Sequence, residues 1–126
     1  MKFVATEKAP KAIGPYCQAI IEGGFLFTSG QISFDPATGR LVEGGLEVAA
    51  DRVFDNLQAI LSQAGLSFAD VVKATVFLTR AEDFAPLNAV YARRFGEHRP
   101  ARSTVIVAAL PAGAPLEIDL IARVAG

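Results

Sequence analysis

The stretch Glu47-Val48-Ala49-Ala50-Asp51-Arg52-Val53-Phe54-Asp55-Asn56-Leu57-Gln58-Ala59-Ile60-Leu61-Ser62-Gln63-Ala64-Gly65 gives way, after a short connection, to Val71-Val72-Lys73-Ala74-Thr75-Val76-Phe77-Leu78. In the first segment Ala50, Val53, Phe54, Leu57, Ile60, Leu61 and Ala64 recur at spacings of three and four, which lays one apolar stripe along an amphipathic helix. Gly65 is placed to close that helix in the left-handed conformation, where the lack of a Cβ removes the steric penalty. The second segment is short, β-branched and apolar, and reads as a strand buried on at least one face. A helix feeding a buried strand sets the frame for the rest of the chain.

Upstream, Tyr16 to Glu22 and Phe25 to Ser29 are strand-like runs separated by Gly23-Gly24, which predicts a hairpin. Asp35-Pro36-Ala37-Thr38-Gly39 carries turn chemistry, and a long connection through Gly44-Gly45 follows it. Downstream, a second helix is predicted from an N-cap at Asp83, with Phe84, Leu87, Tyr91 and Phe95 on one stripe and Pro86 in the first turn, where it removes no intrahelical bond. Ser103 to Leu110 and Leu116 to Val124 read as two final strands, separated by Pro111-Ala112-Gly113-Ala114-Pro115.

The predicted order is strand, strand, strand, helix, strand, helix, strand, strand. It implies an α+β domain over residues 1-126, with two helices packed on one face of a mixed sheet. The strands are apolar on both sides and two helices cover only one, so the other sheet face is expected to be buried against another subunit.

The composition narrows the classes of function. With 126 residues the chain is near the size of one domain and can bury roughly two-thirds of its unfolded surface. Its formal net charge of -1 supplies no basic footprint for a phosphate backbone, so no nucleic-acid partner is expected. The single cysteine, Cys17, allows no internal disulfide and fits a reducing compartment. Met1 to Lys8 lacks the apolar stretch of a leader, and no run approaches the ~20 apolar residues of a membrane span, which places the expected protein in the cytoplasm without a membrane partner. His98 stands alone, and no metal site is expected.

Several residues could carry chemistry. Arg102 follows Pro100-Ala101 and opens a strand, where its planar fork could hold a carboxylate by two parallel hydrogen bonds; it reads equally as a solvated arginine at a strand end. Glu117 and Asp119 share one strand face with Ile121, while Leu116, Ile118 and Leu120 take the other. A carboxyl group on a buried face has its pKa raised, which suits proton exchange with water near neutral pH; a wet face is the alternative. Tyr16 and Ser29 sit beside Pro15 and Gly30, where backbone can approach a ligand, although a packed aromatic and a turn residue explain them as well. Asn88 and Tyr91, one helical turn apart, are open to the same two readings. Cys17 on an apolar strand and serines outside any nucleophile elbow argue against covalent catalysis. The glycine pairs lack phosphate-loop spacing, so no nucleotide cofactor is implied.

Ile13-Gly14-Pro15-Tyr16, Thr28-Ser29-Gly30-Gln31, Asp55-Asn56-Leu57, Lys73-Ala74-Thr75-Val76-Phe77-Leu78 and Pro100-Ala101-Arg102-Ser103, followed by Leu116-Glu117-Ile118, occur in this order. Together they resemble the Rid family, also called the YjgF family, over nearly the whole chain. The resemblance implies a chorismate-mutase-like α+β fold and a homotrimer with ligand clefts between subunits. It also implies hydrolysis of reactive enamines and imines such as 2-aminoacrylate, 2-iminopropanoate and 2-iminobutanoate to 2-keto acids and ammonia, without a cofactor. On this resemblance Arg102 anchors the substrate carboxylate, Glu117 positions or activates water, and Tyr16, Ser29, Gly30 and Asn88 complete the pocket. Many members carry a cysteine two residues beyond the arginine. Thr104 stands there in this chain and offers a hydroxyl to the ligand in place of a thiol.

If the last two strands form a hairpin centred on Gly113, Glu117 faces residue 109 and lies on the order of 20 Å from Arg102. On that register the two side chains meet only across a subunit boundary. Three other functions compete with the deaminase: a non-catalytic module that binds small carboxylates through the same arginine, a ribonuclease, and a chaperone acting through apolar oligomer surface. The lone His98 and slightly negative charge speak against the ribonuclease.

Overall fold

The structure is a computed structural model that describes residues 1–124. Its elements are β1 (Lys2–Val4), β2 (Ala19–Glu22), β3 (Phe25–Thr28), β4 (Phe34–Asp35), β5 (Arg40–Leu41), α1 (Leu46–Gln63), β6 (Val71–Leu78), α2 (Phe84–Phe95), β7 (Ala101–Ile106) and β8 (Leu116–Arg123). The fold is the mixed α+β arrangement expected, with two differences at its start. β1 pairs with β2, and the turn at Asp35–Gly39 closes the two-residue strands β4 and β5 into a separate hairpin. Five strands therefore precede the first helix instead of three.

The main sheet has the order β1-β2-β3-β8-β6-β7. β6 and β7 are parallel, because α2 crosses over between them and returns the chain in the same direction; the other neighbours are antiparallel. The predicted hairpin between the last two strands is not formed. β8 passes β7 and inserts between β3 and β6, pairing Leu78 with Leu116 and Ala74 with Leu120. This central position suits its sequence, since Leu116, Ile118, Leu120 and Ala122 are all buried beneath the helices. Strand β7 also ends at Ile106 rather than Leu110.

The α1 stripe packs as the spacing predicts, with Val53, Phe54, Leu57, Ile60 and Leu61 fully buried against Leu26, Val76 and Ile118 of the sheet. Gly65 has φ 75° and lies just beyond the end of α1, where its amide donates to the carbonyl of Ser62. Asp83 occupies the N-cap of α2 but its side chain makes no capping bond. Arg94 ties the two helices together through Asp51 and Asp55 at 3.0 and 2.8 Å.

The face of the sheet away from the helices has no cover among the described residues. Phe3, Ile20, Phe27 and Ile121 form one row across four paired strands, and Phe3 and Phe27 are 67% and 43% exposed. Lys73, Glu117 and Asp119 stand on the same face. No helix among the described residues is long and apolar enough to cross a membrane.

Candidate functional site

Arg102 is the second residue of β7, which forms one edge of the sheet. It lies beside Ala74, which in turn pairs with Leu120, and both neighbours are buried on the helix-covered face. The arginine therefore projects toward α2. Its Nη1 donates to Asn88 Oδ1 at 2.8 Å, and its guanidinium carbon lies 4.7 Å from the centroid of the Tyr91 ring and 5.7 Å from that of Phe84. Among the described residues, no carboxylate forms an ion pair with it. Only one of its five N–H donors has a hydrogen-bond partner there, so the fork retains donors for a carboxylate.

Thr104 lies two residues along β7 on the same face, beside Val76. Its Oγ1 is buried and makes no hydrogen bond among the described residues, and the same holds for the Tyr91 hydroxyl. Burial raises the Tyr91 pKa, an effect only partly opposed by the charges of Arg102 and Arg99.

Glu117 is the second residue of β8 and lies beside Phe77 on the opposite, uncovered face. The backbone of Gln31 exchanges two hydrogen bonds with Ile118, at 2.9 and 3.1 Å, which draws Gly30 against the Glu117 side chain. The contact is so close that a Cβ added at residue 30 would lie 2.6 Å from Glu117 Cδ. Gly30 is thus required for space rather than for an unusual φ. Burial pushes the Glu117 carboxyl above the ordinary range, and the neighbouring charge of Asp119 pushes it further. Asp119 is also raised by burial, against the opposing pull of its bond from Thr75 and the charge of Lys73.

Glu117 and Gly30 line a small cleft of about 100 Å³ together with Tyr16, Lys11, Gln18 and Gln31. Tyr16 is half-exposed and is turned toward the cleft by a tight bend in which its amide donates to the carbonyl of Gly14 at 2.8 Å. Ser29 stands at the edge of this group; its hydroxyl donates to the Cys17 carbonyl at 2.6 Å and its amide to the Gln18 carbonyl at 2.9 Å. These two bonds fix the backbone that leads into Gly30.

The predicted site residues thus fall into two groups. Arg102, Asn88 and Thr104 gather on the helix-covered face at the β7 edge, whereas Tyr16, Ser29, Gly30 and Glu117 gather by the uncovered face. The hairpin register is corrected: two strand spacings and a three-residue offset put the Arg102 and Glu117 backbones about 14 Å apart, rather than about 20 Å. Their side chains point to opposite sides of the sheet, and that difference, more than distance, keeps them apart within one chain.

Some contributors were not singled out from sequence. Asn56 is fully buried in the apolar stripe of α1, where Nδ2 donates to the carbonyls of Ile32 and Phe34 and Oδ1 accepts from Arg52. It straps down the segment that follows Gly30. Gln18, also buried, uses its amide to hold Thr6 and Pro10 of the N-terminal segment. A polar amide at a core position of a helix was the available signal for Asn56; Gln18 had none, because its partners are irregular backbone.

A family model described as Endoribonuclease L-PSP matches residues 6–124. A RutC family protein of Pyrococcus abyssi is 50% identical over 121 residues, covering 96% of this chain and 95% of that protein. A 2-iminobutanoate/2-iminopropanoate deaminase of Bos taurus is 46% identical over 121 residues, covering 96% and 88%. Among solved structures, RidA from the Antarctic bacterium Psychrobacter sp. superposes with a TM-score of 0.94 at 45% identity, covering 98% of this chain and 100% of that one. TdcF of E. coli with bound serine superposes with a TM-score of 0.94 at 44% identity, covering 99% and 100%. Matching motifs, matching fold and coverage of nearly the whole chain lead to one conclusion: the chain belongs to the Rid/YjgF family, whose family model carries the description Endoribonuclease L-PSP.

Proposed function

We propose that the protein hydrolyses small 2-imino acids and their enamine tautomers, among them 2-aminoacrylate, 2-iminopropanoate and 2-iminobutanoate, to 2-keto acids and ammonia without a cofactor. The observation that carries this reading is the Arg102 guanidinium, pinned by Asn88 and laid on Tyr91 with most of its donors unspent. A prepared fork without an internal carboxylate partner is suited to a ligand carboxylate. The bovine relative named as an imine deaminase and the serine-bound relative support a small amino-acid-like ligand.

The chemistry asked of the protein is modest. The imine carbon is already electrophilic, so a held carboxylate and a placed water supply most of what is needed. Water oxygen adds to the imine carbon, the nitrogen gains protons, and the C–N bond breaks to release ammonia and leave the keto oxygen. Glu117 takes the water proton and returns it to the leaving nitrogen. Its raised pKa brings proton gain and loss closer to neutral pH. Tyr16, Ser29, Gly30 and Asn88 shape the pocket, and the orphan hydroxyl of Thr104 is available to the ligand.

Because Arg102 and Glu117 face opposite sides of one sheet, the reading also requires the site to be shared between subunits of a homotrimer. The uncovered row of Phe3, Phe27 and Ile121 supports such an assembly, since apolar surface of this kind is unfavourable in water. The endoribonuclease description of the family gains no support from this chain's only histidine, His98, whose Nε2 lies 2.6 Å from the carbonyl of Val71, six residues along β6 from the Phe77 that neighbours Glu117.

The test is turnover. With 2-iminobutanoate generated in situ, the protein accelerates keto-acid and ammonia release over the uncatalysed rate, and Arg102→Ala lowers kcat/KM by about 100-fold. Equal rates with protein and with buffer, in a sample that still binds 2-oxobutanoate through Arg102, would favour a carboxylate-binding module instead.

A further inference from the structure

We infer that Tyr91, assisted by Phe84, is a positioning residue that sets the plane of the Arg102 guanidinium and thereby the affinity of the site for carboxylates. The inference rests on the reading of Arg102 as the carboxylate anchor and extends it to side chains that touch no substrate.

A bidentate bond needs the guanidinium in one plane, because its two N–H vectors must meet two oxygens at once. Asn88 makes a single bond to Nη1. One bond gives a pivot, and the fork remains able to rotate about it. The missing restraint is supplied by ring faces: the guanidinium carbon lies 4.7 Å from the Tyr91 centroid, within the range for attraction between a cation and an aromatic face. Phe84 approaches at 5.7 Å. Residues 84, 88 and 91 lie four and three positions apart on α2, so one helix face presents ring, amide and ring to the same arginine.

The Tyr91 platform is itself held. The ring is 6% exposed and meets Phe54 edge-on, with centroids 5.9 Å apart and planes at 77°. Phe95 packs at 4.6 Å. The Tyr91 hydroxyl makes no hydrogen bond among the described residues, so the ring face rather than the phenol carries the function. This separates Tyr91→Phe, which keeps the face, from Tyr91→Leu, which removes it.

The experiment measures the dissociation constant of 2-oxobutanoate by calorimetry for the full chain and for Tyr91→Phe, Tyr91→Leu and Phe84→Leu, each with and without Arg102→Ala. Tyr91→Phe binds within about twofold of the parent, whereas Tyr91→Leu weakens binding about tenfold, with Phe84→Leu intermediate. In the Arg102→Ala background Tyr91→Leu changes binding less than about twofold, because the group it acts through is gone. A general structural defect would weaken both backgrounds alike, and that result overturns the inference. Phe84 is 42% exposed, so Phe84→Leu supplies the test even if the buried substitution unfolds the chain. Unchanged binding in both leucine variants, with binding weakened but still measurable in Arg102→Ala, overturns this inference and leaves the anchor standing. Binding unaffected by Arg102→Ala overturns the anchor and this inference together.

Discussion

Gly30→Ala isolates the contact between the loop after β3 and the Glu117 carboxyl. Gly30 is not among the glycines with positive φ, so alanine is compatible with its backbone, and the substitution adds only a Cβ. That atom would lie 2.6 Å from Glu117 Cδ, whereas ordinary van der Waals contact begins at 3.4 Å. Glu117 Oε2 lies closer still to that position, so the carboxyl must withdraw by more than about 1 Å, if the Gln31–Ile118 pairing holds the loop in place. Displacing a reacting group by about 1 Å costs on the order of 100-fold, or about 2.7 kcal/mol of barrier. The expected result is a kcat/KM for 2-iminobutanoate about 100-fold below the parent, with 2-oxobutanoate binding nearly unchanged because Arg102 is untouched. The assay follows keto-acid release from imine generated in situ, with binding measured separately. A variant that keeps its Glu117 displaced in a crystal structure yet turns over within twofold of the parent would refute the role given to that carboxylate.

Three further outcomes follow from the same geometry. Glu117 binds its proton more tightly in the folded chain than at its ordinary value of 4.5, so its stabilising contribution is full below that value and is lost as pH rises through the folded pKa. Glu117→Gln therefore raises the denaturant midpoint at pH 7 relative to the parent, and the gain vanishes near pH 4; an equal shift at both pH values would contradict the raised pKa. Asp119→Asn removes a charge that helps raise Glu117, so the acid limb of kcat/KM moves to lower pH, and an unmoved limb would show that the two carboxyls are not coupled. Asn56→Ala leaves the Ile32 and Phe34 carbonyls without their donor and lowers stability by about 1–3 kcal/mol in chemical denaturation, whereas an unchanged midpoint would mean that water replaces the amide without cost.

The parts of the fold that could be read from sequence are those fixed by local periodicity. The three-and-four spacing from Ala50 to Leu61 gave α1, and the β-branched run at Val71–Leu78 gave β6, because each pattern has one way to bury its apolar face. Strand order is a different kind of information. Leu116–Arg123 has the same alternation whether it pairs with β7 or inserts beside β6, and the choice depends on contacts far away in sequence. The error in the hairpin register followed from that ambiguity. Arg102 and Glu117 were both identifiable, and an odd offset sets them on opposite sides of the sheet in either register; the distance between them was not, because it depends on β6 lying between their strands. Tyr91 was visible as an aromatic one turn from Asn88, but its ring face acquires meaning only once Arg102 is seen lying on it.

The central claim is that Arg102 of one subunit works with Glu117 of another, and subunit complementation tests it most directly. Arg102→Ala and Glu117→Ala, each inactive alone, are coexpressed with different tags and purified as mixed oligomers. In a cyclic trimer that contains both variants, one site of the three pairs an intact arginine with an intact glutamate, so about one third of the parent activity returns. Mixed oligomers with no more activity than the separate variants would contradict a shared site.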